Sequence, residues 1–383
     1  MSAPGTPPAR RLRVMLLFGG RSAEHDVSRV TAVAVAAALD PARYEVVPVA
    51  ITTDGRWLFA DSARVHIERA ATVGPHALPA RFDVDGTSAP ALGDMVASGG
   101  AGGPAGAGGT GRRGALDVDV VLPLLHGPYG EDGTVQGLLE LANLPYVGSG
   151  VVGSAVGMDK IMMKRAFTAC GIPNAHSVEH RDGHDLDALA DRVEAQLGYP
   201  CFVKPVNMGS SVGVSKAHDR TELLAACEVA LRYDEWVLVE EHVTGREIEV
   251  AVLGDDPPVA SVPGEIVPGD EFYSYTDKYE TDDAELLVPA PLTADEVAEA
   301  QRLAVAAFSA CRCEAMARVD MFLTPDGRFV LNEVNTIPGF TPISMYPRLW
   351  EASGLPYPQL LDRLVELAFA RHARREARAG RQR

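Results

Sequence analysis

Four residues near the C-terminal end have the types and spacing to hold a cation beside an anion: Arg318, Asp320, Glu333 and Asn335. They lie on two alternating runs, 317–323 and 329–335, separated by Thr324-Pro325-Asp326-Gly327. That separator is turn chemistry, because proline presets φ and glycine is free to take φ > 0. A hairpin closed by a two- or four-residue loop pairs even-numbered residues of the first run with odd-numbered residues of the second. Paired residues share a face, so all four side chains are expected on one side. Two facing carboxylates repel unless positive charge lies between them. Carboxylate and amide oxygens without His or Cys suit a hard cation, Mg²⁺ or Mn²⁺, which commonly shares its shell with phosphate. Arg318 adds a fixed positive charge for an anion. The alternative for this stretch alone is a solvated hairpin face carrying an Arg–Asp pair. The following run, 336–344, is too apolar and too rich in Pro and Gly for a solvated exit, and reads as backbone folded over a site.

Three other stretches carry candidate chemistry. A strand over 200–205 ends in Lys204-Pro205 and leads to Gly209-Ser210-Ser211-Val212-Gly213. This is no Walker A loop, since the Gly-Lys-Ser/Thr end is missing. Its N–H groups and hydroxyls nevertheless suit phosphate oxygens, although Gly/Ser turns are common in hairpins. The loop His126-Gly127-Pro128-Tyr129-Gly130-Glu131-Asp132-Gly133 joins a buried strand over 119–125 to a helix over 134–141. Open α/β sheets bind ligands at such strand ends, which makes His126 and Glu131 candidates. A histidine in a loop is more often simply solvated. The polar stretch 265–291 holds Tyr273, Tyr275, Lys278 and Tyr279, and its length and aromatic content predict a lid.

The elements that must position these groups can be read in order. An apolar strand over 14–18, a Gly-led loop over 19–24, a helix over 27–39 and a strand over 44–51 open the chain as β-loop-α-β. Gly19-Gly20 without the full Gly-x-Gly-x-x-Gly is a weak dinucleotide hint. Residues 99–114 are nearly all Gly and Ala, which cannot bury enough to order themselves, so a mobile insertion is expected over about 61–115. Helices are expected over 151–168, 185–197 and 293–310, strands over 236–241 and 246–252, and a frayed tail after Leu367. Lys160 and Lys164 fall on the first of those helices.

Composition bounds the rest. The 383 residues suggest two or three domains, and 46% hydrophobic with 23% charged residues is ordinary for a soluble globular chain. A net charge of −17 argues against nucleic acid or an anionic membrane as partner. The five cysteines form no Cys-x-x-Cys pair and suggest a reducing compartment. The only early apolar run, 14–18, is too short for a signal-peptide core, so a cytoplasmic enzyme is expected.

Together these parts describe a nucleotide site between two α+β lobes, a combination that resembles the ATP-grasp enzymes. More closely, the sequence resembles the D-alanine–D-alanine ligase family. The resemblance rests on Gly19-Gly20-x-Ser22-x-Glu24, His126-Gly127 with Gly130-Glu131-Asp132-Gly133, and Ser149-Gly150 leading to Met158-Asp159-Lys160. It continues through Lys204-Pro205, Gly209–Gly213, Lys278-Tyr279, Arg318-Val319-Asp320 and Glu333-Val334-Asn335-Thr336-x-Pro338-Gly339, covering about residues 14–365. It implies an open α/β N-terminal domain over 1–148, then a two-lobed ATP-grasp unit with lobes at 149–238 and 239–383.

The resemblance also implies roles. Lys160 and Lys204 would hold ATP phosphates under Gly209, Ser210 and Ser211. Glu240, Glu241 and Val243 would meet the adenine edge, and Glu247 the ribose. Asp320, Glu333 and Asn335 would bind Mg²⁺ or Mn²⁺. Glu24 would pair with the first D-alanine's ammonium, and Arg318 with a backbone N–H near Gly339 would stabilise the tetrahedral oxyanion. Ser344 and Lys278 would contact the second substrate's carboxylate and the transferred phosphate, His126 would assist binding, and Tyr279 would bond Ser210, which bonds Glu24. A homodimer is implied as well. The rivals are a ligase making D-alanyl-D-lactate, against which Lys278-Tyr279 argues, and a non-catalytic ATP-binding module. Such a module would be expected to have lost some of Glu24, Arg318, Asp320 and Glu333, and all are present.

Overall fold

The computed structural model describes residues 10–59, 63, 118–267 and 285–378. The expected insertion and the central part of the expected lid, including Lys278 and Tyr279, lie outside the described residues. At the N-terminal end come β1 (Leu12–Gly19), α1 (His25–Ala38), β2 (Tyr44–Ile51), β3 (Trp57–Phe59), β4 (Val120–Pro123) and α2 (Thr134–Leu141). β1 pairs in parallel with β2 and β4, and β3 adds an antiparallel edge to β2. Residues 14–18 of β1 are buried without alternation, as in a parallel strand covered on both faces. Ser28 of α1 is fully buried because both its hydrogen-bonding functions are used. It accepts from the Gly19 N–H at 2.8 Å and donates to Leu124 O, tying the helix to the ends of β1 and β4. Gly19 has φ +89°, and a Cβ there would lie 2.2 Å from Ile51 O, so this turn requires glycine.

The helix expected over 151–168 is in fact two, α3 (Val151–Met158) and α4 (Lys160–Ala169). Asp159 leaves helical geometry between them and caps α4, accepting the Met162 N–H at 2.9 Å. A second sheet is then built from β5 (Ser177–Arg181), β6 (Cys201–Pro205), β7 (Ser215–Ala217) and β8 (Trp236–Glu241), with α5 (Leu186–Gln196) and α6 (Arg220–Ala230) between strands. Its order is β5-β8-β6-β7, antiparallel throughout. Leu189 and Val193 of α5 and Leu223 and Cys227 of α6 close its core with Cys201, Val203 and Val239. The division expected after residue 238 falls inside β8, whose pairing with β6 continues to Glu241.

The third sheet holds β9 (Arg246–Gly254), β10 (Val259–Ala260), β11 (Gly264–Val267), β12 (Glu285–Leu287), β13 (Ala315–Leu323) and β14 (Phe329–Asn335), ordered β12-β11-β9-β13-β14 with β10 against β9. Helices α7 (Ala294–Ala310), α8 (Met345–Ala352) and α9 (Tyr357–Glu376) pack on it. Thr293 and Glu296 start α7 with a reciprocal capping box.

The β13–β14 hairpin reaches the expected facing by an unexpected route. Its connection is residues 324–328, and Leu323 pairs with Phe329 and Met321 with Leu331, so parity near the turn is opposite to that expected. A bulge then leaves Asn332 without a partner on β13, and Asp320 pairs with Glu333 and Arg318 with Asn335. One extra residue flips the register, which restores all four polar side chains to one face.

The expected fraying of the tail is also corrected. α9 runs to Glu376 because its arginines are tied down rather than solvated. Arg371 is buried, lies 4.0 Å over the Tyr146 ring and donates to Tyr146 O at 2.7 Å and to Gly148 O. Arg374 pairs with Asp255 and Arg375 with Glu140.

Candidate active site

A cleft of roughly 1070 Å³, counting its solvent-filled mouth, opens between the second and third sheets. Its lining includes Lys160, Lys204, Ser210, Ser211, Glu240, Glu241, Val243, Glu247, Asp320 and Glu333. Lys160, the first residue of α4, donates to Met208 O at 2.7 Å and so holds the loop after β6. Burial pushes its ammonium below the ordinary lysine range. Lys204 projects from β6 onto the Glu240 carboxylate of β8 and donates to Asn332 Oδ1 at 3.4 Å. Burial disfavours its charge, but Glu240 outweighs that and its pKa is raised. Glu240 takes a second lysine, Lys164 of α4, at 2.8 Å. Burial pushes this carboxylate up, yet the two lysines win and bring it down to about 2. Glu241 accepts the His176 N–H at 2.7 Å, which pins the strand end.

The loop over this cleft is strained. Ser210 and Ser211 have φ of +50° and +57°, a left-handed conformation costing non-glycine residues about 1 kcal/mol or more each. Ser210 donates its hydroxyl to Glu24 Oε1, linking the loop to the N-terminal residue that caps α1. Close approach there depends on glycine: a Cβ at Gly209 would lie 2.9 Å from Glu24 Oε2, and one at Gly127 would lie 3.2 Å away.

On the hairpin face, Arg318 clamps Asp320 through two hydrogen bonds of 2.8 and 2.7 Å and reaches Glu249 of β9 at 3.1 Å. Burial opposes the guanidinium charge, but Asp320 and Glu249 hold it well above its ordinary range. Asn335 donates to Asp320 at 2.9 Å and to Glu333 at 3.4 Å. Among the described residues no cluster of three or more His, Cys, Asp or Glu gathers as a ready metal centre. The face offers two carboxylates and an amide. These oxygen donors fit a hard divalent cation, which would add positive charge to that of Arg318 where the neutral Asn335 amide now only donates hydrogen bonds.

Beyond the hairpin, residues 336–344 do fold back over the site. His126 Nδ1 lies 3.0 Å from Ile337 O, and Glu131 accepts the Ile337 N–H at 3.3 Å and the Gly127 N–H at 2.8 Å. His126 is buried, its Nε2 has no hydrogen-bond partner among the described residues, and burial pushes the imidazole down. Glu131 is pushed up to about 8, first by burial and then by neighbouring Glu24. Gly339 faces Ser344, whose Oγ would lie 3.1 Å from a Cβ there. Ser344 accepts the Thr341 N–H at 3.2 Å and precedes α8.

The structure thus brings ten of the candidate residues to one cleft, with Arg318 and Asn335 bonded to Asp320 at its edge, and the Ser210–Glu24 bond joins it to the His126–Glu131 end. Tyr279 and Lys278 fall outside the described residues. Sequence reasoning named Glu131 as a candidate and placed Lys164 on its helix, each without a specific role, and passed over Glu249 and Asn332. A lysine four residues after Lys160, on the same helix face, was the available signal for Lys164. A bulge residue such as Asn332 leaves none.

Three successive sheets, with a cleft between two of them under a glycine–serine loop, define a ligase of the ATP-grasp architecture. The chain belongs to the D-ala D-ala ligase family: the family model of the N-terminus matches residues 13–149 and that of the C-terminus residues 167–366. It is 46% identical to the D-alanine--D-alanine ligase of Geobacillus kaustophilus over 96% of this chain and 97% of that one. With the enzyme of Streptomyces griseus the identity is 49%, over 95% and 94%. Among solved structures, the D-alanine-D-alanine ligase from Coxiella burnetii matches with TM-score 0.77 and 35% identity, over 96% and 97% of the two chains. The D-Ala:D-Ser ligase from Enterococcus faecalis matches with TM-score 0.79 and 34% identity, over 94% and 100%. The family is ATP-dependent and uses a divalent metal. No helix among the described residues is long and apolar enough to cross a membrane.

Proposed function

We propose that this chain joins two D-alanine molecules into D-alanyl-D-alanine for peptidoglycan precursor synthesis, consuming ATP. In the first step the carboxylate of one D-alanine attacks the γ-phosphorus, releasing ADP and leaving D-alanyl phosphate. In the second, the free amine of another D-alanine attacks the acyl carbon. A tetrahedral oxyanion forms, phosphate leaves, and the nitrogen loses a proton.

The roles are those the family resemblance implies, and the placement of the described residues around the cleft supports them. Lys160, Lys204 and the loop at Gly209, Ser210 and Ser211 hold the triphosphate. Glu240, Glu241 and Val243 meet the purine and Glu247 the ribose. Asp320, Glu333 and Asn335 hold Mg²⁺ or Mn²⁺, which when bound neutralises phosphate charge. Glu24 receives the first ammonium, His126 assists amino-acid binding, and Arg318 with a backbone N–H near Gly339 stabilises the oxyanion. Ser344 takes the second carboxylate, and the resemblance alone gives Lys278 the transferred phosphate and Tyr279 a bond to Ser210. The same reading makes the chain a cytoplasmic homodimer, its first domain boundary at about residue 148 and its second after the end of β8 at Glu241.

What carries the reading is the Ser210–Glu24 hydrogen bond, since it couples a phosphate-type loop to a carboxylate suited to an amino group. The test is phosphate release with ATP and Mg²⁺, offering D-alanine, L-alanine or D-lactate. D-alanine should give rapid release and dipeptide. Equal release with L-alanine, or depsipeptide as the main product with D-lactate present, would sink the assignment.

A further inference from the structure

We infer that Lys164 is a positioning residue for nucleotide binding: it is the standing counter-ion of Glu240, and it frees Lys204 to move from that carboxylate onto the triphosphate. The inference rests on the reading of the cleft as an ATP site. Its basis is the unequal attachment of two lysines to one buried carboxylate.

Lys164 is fixed. Its ammonium donates to Glu240 Oε1 at 2.8 Å and to Ala175 O at 2.9 Å, and only 6% of its side chain is exposed. It does not line the cleft; it borders an adjoining groove between α4 and the segment leading into β5. Lys204 is bound closely to the other Glu240 oxygen but is the one open to the cleft. Its second partner, Asn332, lies at 3.4 Å, and it lines the cleft with 16% of its side chain exposed. A triphosphate entering the cleft competes with Glu240 for Lys204 alone. If Lys204 were the only cation on Glu240, that transfer would strand a buried carboxylate, which strongly disfavours any state requiring it. Lys164 removes the penalty because it stays. It also keeps Glu240 ionised, hence an acceptor only, and anchored at a fixed height on β8. Such a group favours an amino-bearing purine edge over an oxo-bearing one.

The test uses the full-length enzyme with Lys164→Met, which keeps the volume and removes the charge, and Lys164→Arg, which restores it. Lys164→Met should raise the KM for ATP roughly tenfold or more, as expected for losing a charged partner. The KM for D-alanine and kcat should stay near wild type, and the preference for ATP over ITP should shrink. Lys164→Arg should recover most of the ATP affinity. An unchanged KM for ATP in Lys164→Met, or a fall in kcat alone, overturns the inference. So does a lost affinity that Lys164→Arg leaves equally lost. Should Lys164→Met fail to fold, Lys164→Gln is judged by the same KM split. Calorimetry with a non-hydrolysable ATP analogue separates the two levels. If the wild type binds none, the ATP-site reading fails; if wild type and Lys164→Met bind equally, only this inference does.

Discussion

Two glutamates at opposite ends of the site, Glu240 buried and Glu131 half-buried, have been driven in opposite directions. Glu240, between Lys164 and Lys204, is brought down to about 2, whereas Glu131, near Glu24 and His126, is pushed up to about 8. Both lose water, so desolvation alone cannot distinguish them. The difference is cationic company: two lysines meet Glu240, while Glu131 accepts two backbone N–H groups and forms no ion pair among the described residues. The nucleotide end therefore carries its compensating charge within the fold. At the amino-acid end, acidic groups crowd a neutral imidazole, and an arriving ammonium would supply what is missing. Under the proposed reading, such a site meets an anionic substrate with cations already in the fold and an amino substrate with acidic groups.

The comparison can be broken hardest at the hairpin that lies between the ends. Asp320→Asn and Glu333→Gln should each lower ATP-dependent phosphate release about a thousandfold, several kcal/mol of barrier, with secondary structure intact by circular dichroism. Near-wild-type turnover at limiting Mg²⁺ in both variants would remove the metal assignment. A smaller effect is expected at the amino-acid end. Glu24→Gln should raise the KM for D-alanine about 10- to 100-fold, the loss of a charged hydrogen-bond partner, while leaving ATP-analogue affinity within about twofold. Equal losses for both substrates would mean that the two ends are not separate.

Much of this was legible in the sequence because it lies in local pattern. The β-loop-α-β opening, the helix over 293–310 and the Lys204 strand are written in runs of apolar residues and short polar signals. The common face of Arg318, Asp320, Glu333 and Asn335 was also expected, but for a reason only half right. The connection over 324–328 has the wrong parity, and the bulge at Asn332 reverses it. No pattern of two announces a bulge, since the extra residue is defined by what it lacks on the partner strand. The break at Asp159 did leave a local signal, an N-cap residue two positions after Gly157, whereas the order of α9 was hidden by arginines that look solvated until Tyr146 and Gly148 are brought beneath them. The opposite fates of Glu131 and Glu240 depend on partners remote in sequence. They follow from tertiary packing alone.

The mildest prediction concerns the stability of the ligand-free protein against pH, and it tests the acidic end directly. The folded state holds the Glu131 proton up to about pH 8, whereas an ordinary glutamate releases it near 4.5. Stability from this group is fully present below about pH 4.5. It falls as pH rises through that window and levels off above about 8, by on the order of a few kcal/mol. His126 acts with the opposite sign. Burial lowers its imidazole below the ordinary 6.5, so the unfolded chain takes up a proton first as pH falls, and stability is lost on the acid side. Urea unfolding between pH 5 and 9 should show the two slopes, and variants separate them. Glu131→Gln should flatten the decline toward pH 8, whatever its absolute stability, since glutamine cannot titrate. His126→Asn should flatten the acid side and leave the alkaline decline in place. If Glu131→Gln retains the wild-type slope between pH 6.5 and 8, Glu131 is already ionised in the folded protein. The contrast with Glu240 would then reduce to two carboxylates differing only in which donors they accept.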